Sequence, residues 1–345
     1  MGWRGAFRAI RAAAREAERD AKRRERAREQ ERAALAKAQE LQYAAYVVSK
    51  YEQGIALATS LHRTSRKAIE WASLATASPP VEPHPMHTEE ARAQQKLDDH
   101  RPSALEKLLH REEKVRAQLQ AEMAAARDRD EARYKTDVEA YRASLQEYTE
   151  QRELAERILA RNSEAMLEVV LAREPFADIS EFGVPREFRI VGQGERMAAD
   201  LLVSREDIIP KETPRLLSSG RLSIKQTPKS QHNCVYQDYV CSAVLRLATE
   251  ILSLLPIEAV VVTALHNMLN PATGHLEEQP ILSALIPRKT LAQLNLDAVD
   301  PSDAMRNFLH QIDFKQATGF RPVSRLDPEG AGKEGCGDDR SGKPA

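Results

Sequence analysis

The sequence is poor in the residues that mark many easily recognised protein classes. Its 345 residues include three cysteines, Cys234, Cys241 and Cys336, and only 5% are aromatic. Cys234 and Cys241 lie seven residues apart, about two helical turns, which is too far for a disulfide inside one helix. The absence of a Cys-x-x-Cys pair argues against a cysteine zinc site. We therefore expect reduced cysteines, and the sequence predicts neither a cofactor nor a bound metal.

Long apolar runs are missing as well. The strongest ones, Ile251–Leu255 and Ala259–Leu265, are much shorter than the ~20 residues of a membrane span. The N-terminus lacks the apolar core of a signal peptide, so we expect a cytoplasmic protein without a membrane span. The net charge of −1 gives no general attraction to nucleic acid or to an anionic membrane.

One local charge excess stands apart from this balance. Residues 1–32 hold 11 Arg or Lys and 6 acidic residues. Interleaved acids favour a solvated helix with ion pairs between successive turns. Contact of this segment with phosphates or with a membrane surface stays open, although nothing else in the sequence supports nucleic acid as a partner.

Several catalytic signatures are absent from the sequence. It has no Gly-x-x-x-x-Gly-Lys-Ser/Thr loop, no Gly-x-Ser-x-Gly elbow and no His-Glu-x-x-His motif. The pair Gly192 and Gly194 lacks the third glycine of a dinucleotide site and lies between two predicted strands, which favours a hairpin turn. These absences argue against an enzyme of the P-loop, α/β-hydrolase or zincin classes.

The first half, residues 1–174, has the pattern of a helical arm. Residues 3–75 are rich in Ala and charge, and a proline-rich break follows at 78–87. A second long helix is predicted from Ala104 to about Ala172. Its apolar residues step by 4, 3, 4 and 3, which defines a coiled-coil seam made of Tyr134, Val138, Tyr141, Leu145 and Tyr148. We expect the two helices to form a hairpin folded at Pro79–Pro85.

The second half, residues 175–326, alternates between strand and helix patterns. Strands are predicted at Glu187–Val191, Met197–Val203, Arg221–Gln226, Ile257–Leu265 and Pro280–Ile286, with helices at Asn233–Leu255, Thr290–Leu294 and Ser302–Gln311. Residues 327–345 contain few apolar groups and are predicted to be disordered. The expected fold class is α+β, with a long helical hairpin or coiled-coil arm followed by a small mixed α/β domain that has one main helix packed on a sheet.

Four runs in this half carry a resemblance to other proteins. They begin at Val235, Asn270, Asp300 and Thr318, and read VYQDYVC, NPATGHLEEQPILS, DPSDAMRNF and TGFRPV. These runs resemble signature stretches of an uncharacterised family of bacterial proteins that also have a charged helical N-terminal half. The resemblance covers mainly residues 185–326. It implies a bacterial source, and it assigns no activity and no catalytic residues.

Two groups of polar residues are binding candidates. The first, around the turn between two strands, consists of His266, Asn267, His275, Glu277 and Glu278, where two imidazoles and two carboxylates could hold a divalent metal. A solvated turn explains the same residues. The second group, on the main helix, consists of Tyr236, Asp238 and Arg246, for which helix capping, packing and a buried ion pair are the simpler interpretation.

The order of predicted elements also permits a nuclease-like alternative. One helix, three strands, a helix and a strand resemble the restriction-endonuclease core, whose chemistry needs acids and a lysine around Mg²⁺. Asp200 and Lys225 are the candidates, with His275 and Glu277 as further catalytic candidates. Ser223 stands where the second acid is needed, so an inactive, degenerate version of that fold stays open.

These observations lead to two hypotheses of different classes. The first is a non-enzymatic interaction or scaffold protein, which self-associates or binds a protein partner through its helical arm and uses the α/β domain as a binding module. The second is a metal-dependent hydrolase of the restriction-endonuclease-like type. The heptad seam and the incomplete catalytic sets favour the first.

Overall fold

A computed structural model describes residues 3–63, 67–103, 110–204 and 206–329, with side chains from residue 18 onward except that of Glu206. The chain forms two compact units. Residues 1–68 and 167–345 make up the sheet unit, and residues 69–166 make up the helical unit. The first 68 residues thus cluster with the second half of the chain, although the sequence assigns them to the arm. The predicted disordered tail lies outside the described residues, apart from 327–329.

Long helices dominate the N-terminal half, as the sequence predicts. They are α1 (Trp3–Thr59), α2 (Trp71–Ala75), α3 (Thr88–Asp99), α4 (Glu112–Leu159) and α5 (Ser163–Arg173). Alanine and long charged side chains make α1 a good helix former, and Gly54 does not interrupt it. Of the single helix predicted from Ala104 to about Ala172, residues 104–109 lie outside the described residues and α4 begins at Glu112. The structure also interrupts this helix at residues 160–162, where Arg161 has a φ of +60°.

The helical unit is built around an antiparallel pair, α3 and α4. Glu89 near the start of α3 bonds Arg129 and Arg133, and Lys96 near its end bonds Glu122, so residue numbers rise in one helix as they fall in the other. The chain therefore reverses direction between Asp99 and Glu112, whereas the sequence predicts the reversal of the helical hairpin at Pro79–Pro85. The proline-rich residues 77–87 are non-helical, and the backbone oxygen of Ala77 accepts a 3.0 Å hydrogen bond from Tyr148.

Asp130 explains why the apolar pattern of α4 is interrupted near its centre. Its carboxylate accepts hydrogen bonds of 2.9 Å from the backbone N–H groups of both Glu89 and Glu90. Those groups lie in the first turn of α3 and have no partner within that helix. A residue of α4 therefore caps the N-terminus of α3, while His87, the residue that precedes α3, makes no side-chain cap.

The main sheet has six strands in the order β1-β2-β5-β6-β7-β8. Their bounds are β1 (Gly183–Val191), β2 (Arg196–Val203), β5 (Ala259–Leu269), β6 (Leu276–Pro287), β7 (Leu309–Lys315) and β8 (Gly319–Arg321). Strands β2 and β5 run parallel, and the other neighbours are antiparallel. Between β2 and β5 the chain makes a separate two-stranded sheet, β3 (Glu212–Leu216) with β4 (Leu222–Gln226), and then the helix α6 (Lys229–Leu254).

The α+β class is confirmed, with α6 as the main helix packed on the sheet. The prediction for Ser302–Gln311 was wrong in part. That stretch contains the single turn α8 (Pro301–Ala304), a 3₁₀ turn at Met305–Asn307 and then the start of β7. Asp300 caps α8 by accepting from the N–H groups of Ser302 and Asp303, but Phe308 is already extended and ends the helical conformation. The helix α7 (Arg288–Ala292) precedes it.

The C-terminal half of α1 packs on the sheet unit. Buried or half-buried side chains at helical spacing, Leu41, Ala44, Val48, Tyr51, Ile55 and Ala58, form one face of the helix. Tyr51 bonds Thr213 of β3 at 3.1 Å. Leu41 lies beside Gly220 in the turn between β3 and β4. We call this the docked face of α1, and it holds the helix on the β3–β4 hairpin and on α6.

Candidate functional site

The main sheet presents two faces of different character. Successive side chains of a strand point to opposite faces of the sheet. In β5, the alternate residues Val260, Val262 and Ala264 are fully buried and face α6. On the opposite face, three residues of neighbouring strands lie side by side: Asp200 of β2 is in register with Thr263 of β5, and Thr263 is in register with Ser283 of β6. These three side chains are buried although they are polar. We call them the polar row.

The polar row is continued on both sides by further polar residues. Glu187 of β1 is in register with Asp200, and Gln311 of β7 is in register with Ser283. Thr263 and Ser283 bond each other through their hydroxyl groups at 3.0 Å. The next row along the strands is apolar and includes Val261 and Leu285. A charged and hydroxylated stripe therefore borders an apolar patch on the same face.

Residues 322–329, which we call the strap, lie across this face. Arg325 Nη1 lies 2.6 Å from Asp200 Oδ1 and 2.5 Å from Oδ2. The backbone N–H of Leu326 donates to Ser283 Oγ at 3.1 Å, and its side chain packs on the apolar cluster of Ala259, Val261 and Leu285. Asp200, a catalytic candidate of the nuclease hypothesis, is thus bound to an arginine of the same chain.

Lys225, the second residue of that hypothesis, lies elsewhere. It is an exposed residue of β4, in the two-stranded sheet, whereas Asp200 belongs to β2 of the main sheet. The two residues are therefore not on neighbouring strands. Among the described residues, no group of three or more His, Cys, Asp or Glu side chains could hold a metal ion.

The tip of the β5–β6 hairpin contains the candidates His275, Glu277 and Glu278. Glu277 accepts hydrogen bonds from Asn270 at 2.8 Å and Thr273 at 2.7 Å, which lower the pKa of its carboxyl group. Glu278 forms a 3.0 Å ion pair with Arg186 of β1. His275 is exposed. The two carboxylates thus bond separate partners, and the arrangement stabilises the turn.

His266 is brought together with Tyr236 rather than with His275. Its Nδ1 lies 3.1 Å from the Tyr236 hydroxyl, which also donates to the backbone oxygen of Ser204 at 3.0 Å. Tyr239 on the next turn of α6 accepts from the N–H of Ser204 at 2.9 Å. Burial raises the pKa of Tyr239 to about 12, so this phenol stays protonated and donates to the Phe182 backbone oxygen. These phenols connect α6 to the ends of β1 and β2.

Arg246 belongs to a buried ionic network on α6. It forms an ion pair with Glu250 and a second one, at 2.8 Å, with Asp178. The other oxygen of Glu250 accepts from the backbone N–H of Phe176 at 2.8 Å. Phe176 is fully buried with a φ of +74°, a conformation that costs free energy for a bulky residue. The network therefore fixes the segment before β1 against α6.

The structure reveals one buried polar pair that sequence reasoning missed. His62, in the 3₁₀ turn Leu61–Arg63 after α1, bonds Ser242 of α6 through Nδ1 at 2.8 Å and through its backbone N–H at 3.2 Å. Burial, followed by the charge of Arg63, lowers the pKa of His62. Both side chains are fully buried, so the pair attaches the end of α1 to α6. The position of His62 directly after the docked face is the feature of the sequence that could have indicated its burial.

Asp238 lies one turn before Ser242 on α6. It is half-buried, and burial raises the pKa of its carboxyl group, as do the charges of Asp300 and Asp303, while the Ser302 hydroxyl opposes this shift. The candidate Asp238 thus contacts the start of α8. The polar row lies on the other face of the sheet.

The seam residues of α4, Tyr134 to Tyr148, are all half-buried within the helical unit. The helical unit itself buries part of their surface, since Tyr148 donates a hydrogen bond to the backbone oxygen of Ala77 and α2 packs on α4. Among the described residues, no helix is both long enough and apolar enough to cross a membrane.

Comparison with protein-family models, with curated proteins and with solved structures finds no match to this chain. The resemblance to a bacterial family therefore stays an expectation.

Proposed function

We propose that this protein is a non-enzymatic interaction protein that self-associates through an exposed stripe on α1, with the sheet unit holding the helix in place. The observation that carries this proposal is a second apolar face on α1. Leu35, Tyr43, Tyr46 and Leu57 are exposed by 61%, 64%, 59% and 49%. We call these four residues the exposed stripe.

The spacing of the exposed stripe supports a single surface. At about 100° per residue, its four members fall within an arc of about 80°. The docked face of α1 lies on the opposite side of the helix. One side of α1 therefore packs on its own chain, and the other offers two tyrosines and two leucines to solvent. Exposed apolar surface at helical spacing is typical of helix pairing.

The preceding part of α1 supports a second copy of this chain as the partner. Side chains of residues 18–40 are exposed, and they include eight Lys or Arg and six Asp or Glu in an interleaved order. A helix that is polar all round gains little from packing on its own chain. Interleaved charges of both signs let two copies of the same helix pair without net repulsion.

The candidate residues of the sheet unit are bonded within their own chain, which favours structural roles for them over catalysis. Asp200 bonds the strap, Arg246 bonds its own helix, and Glu277 stabilises a turn. Each of them therefore has a structural partner in the same chain. The seam of α4 is a weaker basis for self-association, because part of it is covered within its own unit.

Sedimentation velocity of the full chain at several concentrations tests the proposal. We expect a concentration-dependent dimer, which the double variant Tyr43→Glu/Tyr46→Glu converts to a monomer, because two added carboxylates on the stripe repel each other in the pair. The matched control is Ala34→Glu/Ala56→Glu, which adds the same charge at exposed positions outside the stripe. The control should dimerise like the original chain. A chain that is monomeric at all concentrations, or equal dimerisation of the stripe variant, would refute the proposal.

A further inference from the structure

The strap contacts the sheet in the way that a bound peptide does. Residues 322–329 are not part of any strand, although they lie across the strands of the main sheet. A paired strand exchanges backbone hydrogen bonds along its whole length. The strap makes one such bond to the sheet, from the N–H of Val323 to the backbone oxygen of Pro280 at 2.9 Å. Its other polar contacts involve side chains.

Two successive strap residues carry most of the recognition. Arg325 places its guanidinium on the buried carboxylate of Asp200, and Leu326 places its side chain on Ala259, Val261 and Leu285. The N–H of Leu326 also bonds the hydroxyl of Ser283. Beyond them, the backbone oxygen of Pro328 accepts a 3.0 Å hydrogen bond from Arg196. The face thus matches a cation followed directly by an aliphatic side chain.

The contacts also indicate that the strap can be displaced. The Arg325 side chain remains 47% exposed, so water reaches the ion pair from the solvent side. The guanidinium is therefore partly hydrated while it is bound, which lowers the free-energy cost of separating it from Asp200. Only one aliphatic side chain of the strap, Leu326, packs on the apolar cluster. Such a segment opens locally at a free-energy cost below that of global unfolding.

We propose that the sheet face opposite α6 is a docking groove for an extended peptide with an arginine followed by a leucine. The strap occupies this groove in its own chain as an exchangeable ligand. Asp200 selects the cation, the hydroxyls of Thr263 and Ser283 keep the floor polar, and the cluster of Ala259, Val261 and Leu285 selects the aliphatic residue.

A peptide titration tests the groove in the full chain. The probe is a fluorescent peptide with the sequence of residues 322–329, and the acceptor is the full chain with Arg325→Ala and Leu326→Ala, which weakens the attached strap. We expect binding at least tenfold tighter than to the unchanged chain, where the strap competes. Adding Asp200→Asn to the acceptor should weaken binding about tenfold. A peptide with alanine at the two positions is the matched control and should not bind.

Hydrogen exchange of the unchanged chain provides an independent readout if the acceptor fails to fold. We expect the amides of Val323 and Leu326 to exchange at least tenfold faster than those of Val260 and Val262 in β5. Equal protection would identify the strap as an integral part of the core and would overturn the proposal. A folded acceptor that binds neither peptide, or binds both equally, would overturn it as well.

Discussion

Replacing Arg246 by methionine tests whether the buried network on α6 holds the segment before β1. Arg246 and Glu250 are 2% and 0% exposed. Methionine keeps the apolar stem and removes the guanidinium, so a fully buried carboxylate loses that cation. Removing one partner of a buried ion pair costs about 3–5 kcal/mol, and we expect a loss of this size in the free energy of unfolding.

Replacing Glu250, the partner of Arg246, should lower the free energy of unfolding by less. In Glu250→Gln, the amide oxygen can still accept from the N–H of Phe176, and Arg246 keeps its ion pair with Asp178, so we expect a loss of about 1–3 kcal/mol. The double variant Arg246→Met/Glu250→Gln removes both charges together. We expect it to lose less than the sum of the two single variants, because no uncompensated charge remains in the core.

Urea unfolding followed by the near-ultraviolet circular dichroism of the buried tyrosines measures these losses. The matched control is Arg306→Met, which removes an arginine that is 81% exposed and paired with Asp303, and its effect should stay within about 0.5 kcal/mol. The slope of the unfolding free energy against urea concentration should be the same for all variants. Arg246→Met with a loss below about 1 kcal/mol, or a double variant that loses the full sum, would refute the reasoning.

Three further predictions concern the attachment of helices. Because burial lowers the pKa of His62, the unfolded chain binds more protons than the folded chain below about pH 6.5. The free energy of unfolding should therefore decrease as the pH is lowered through this range, by at most ~1.4 kcal/mol per pH unit. His62→Gln should flatten this pH dependence when it is measured by urea unfolding. Gly220→Ala should cost about 1–2 kcal/mol, since φ is +78° and the new Cβ would lie 2.7 Å from Leu41 Cδ2. Gly192→Ala, with φ +66° and open space, isolates the backbone contribution and should cost less in the same assay. Asp130→Ala should lower the thermal midpoint of helix loss, measured by far-ultraviolet circular dichroism, more than Asp130→Asn, because asparagine can still cap α3.

The sequence predicts the elements whose side chains alternate regularly. The strands around Met197–Val203 and Ile257–Leu265 and the helix from Asn233 to Leu255 follow from their apolar periodicity, and the structure has β2, β5 and α6 at these places. In contrast, β7 was missed, because Leu309, Gln311 and Asp313 alternate weakly and follow a helix cap. The cap at Asp300 is real, but it starts only one turn of helix.

Pairing between distant segments could not be derived from such patterns. The polar row requires β2, β5 and β6 to be neighbours in one register, and that neighbourhood depends on the parallel connection through α6. The sequence predicts Asp200 as a catalytic acid, yet its partner Arg325 lies 125 residues later, just before a segment without periodicity. His62 and Ser242 are 180 residues apart and were missed for the same reason. Local sequence identifies which polar residues are unusual, and only the fold shows what they contact.

The polar row explains why the strap can be specific without being a strand. A peptide that adds to a sheet edge is held by backbone hydrogen bonds, which any sequence can make, and its selectivity comes from separate pockets. The strap instead crosses the face, where backbone groups of the strands already bond each other, so the side chains of Asp200 and Ser283 must provide the polar contacts. Those contacts demand a cation and a free N–H at fixed positions. Because the exposed stripe on α1 is a different surface, a stripe variant that abolishes dimerisation should leave binding of the strap peptide unchanged, which separates the two proposals experimentally.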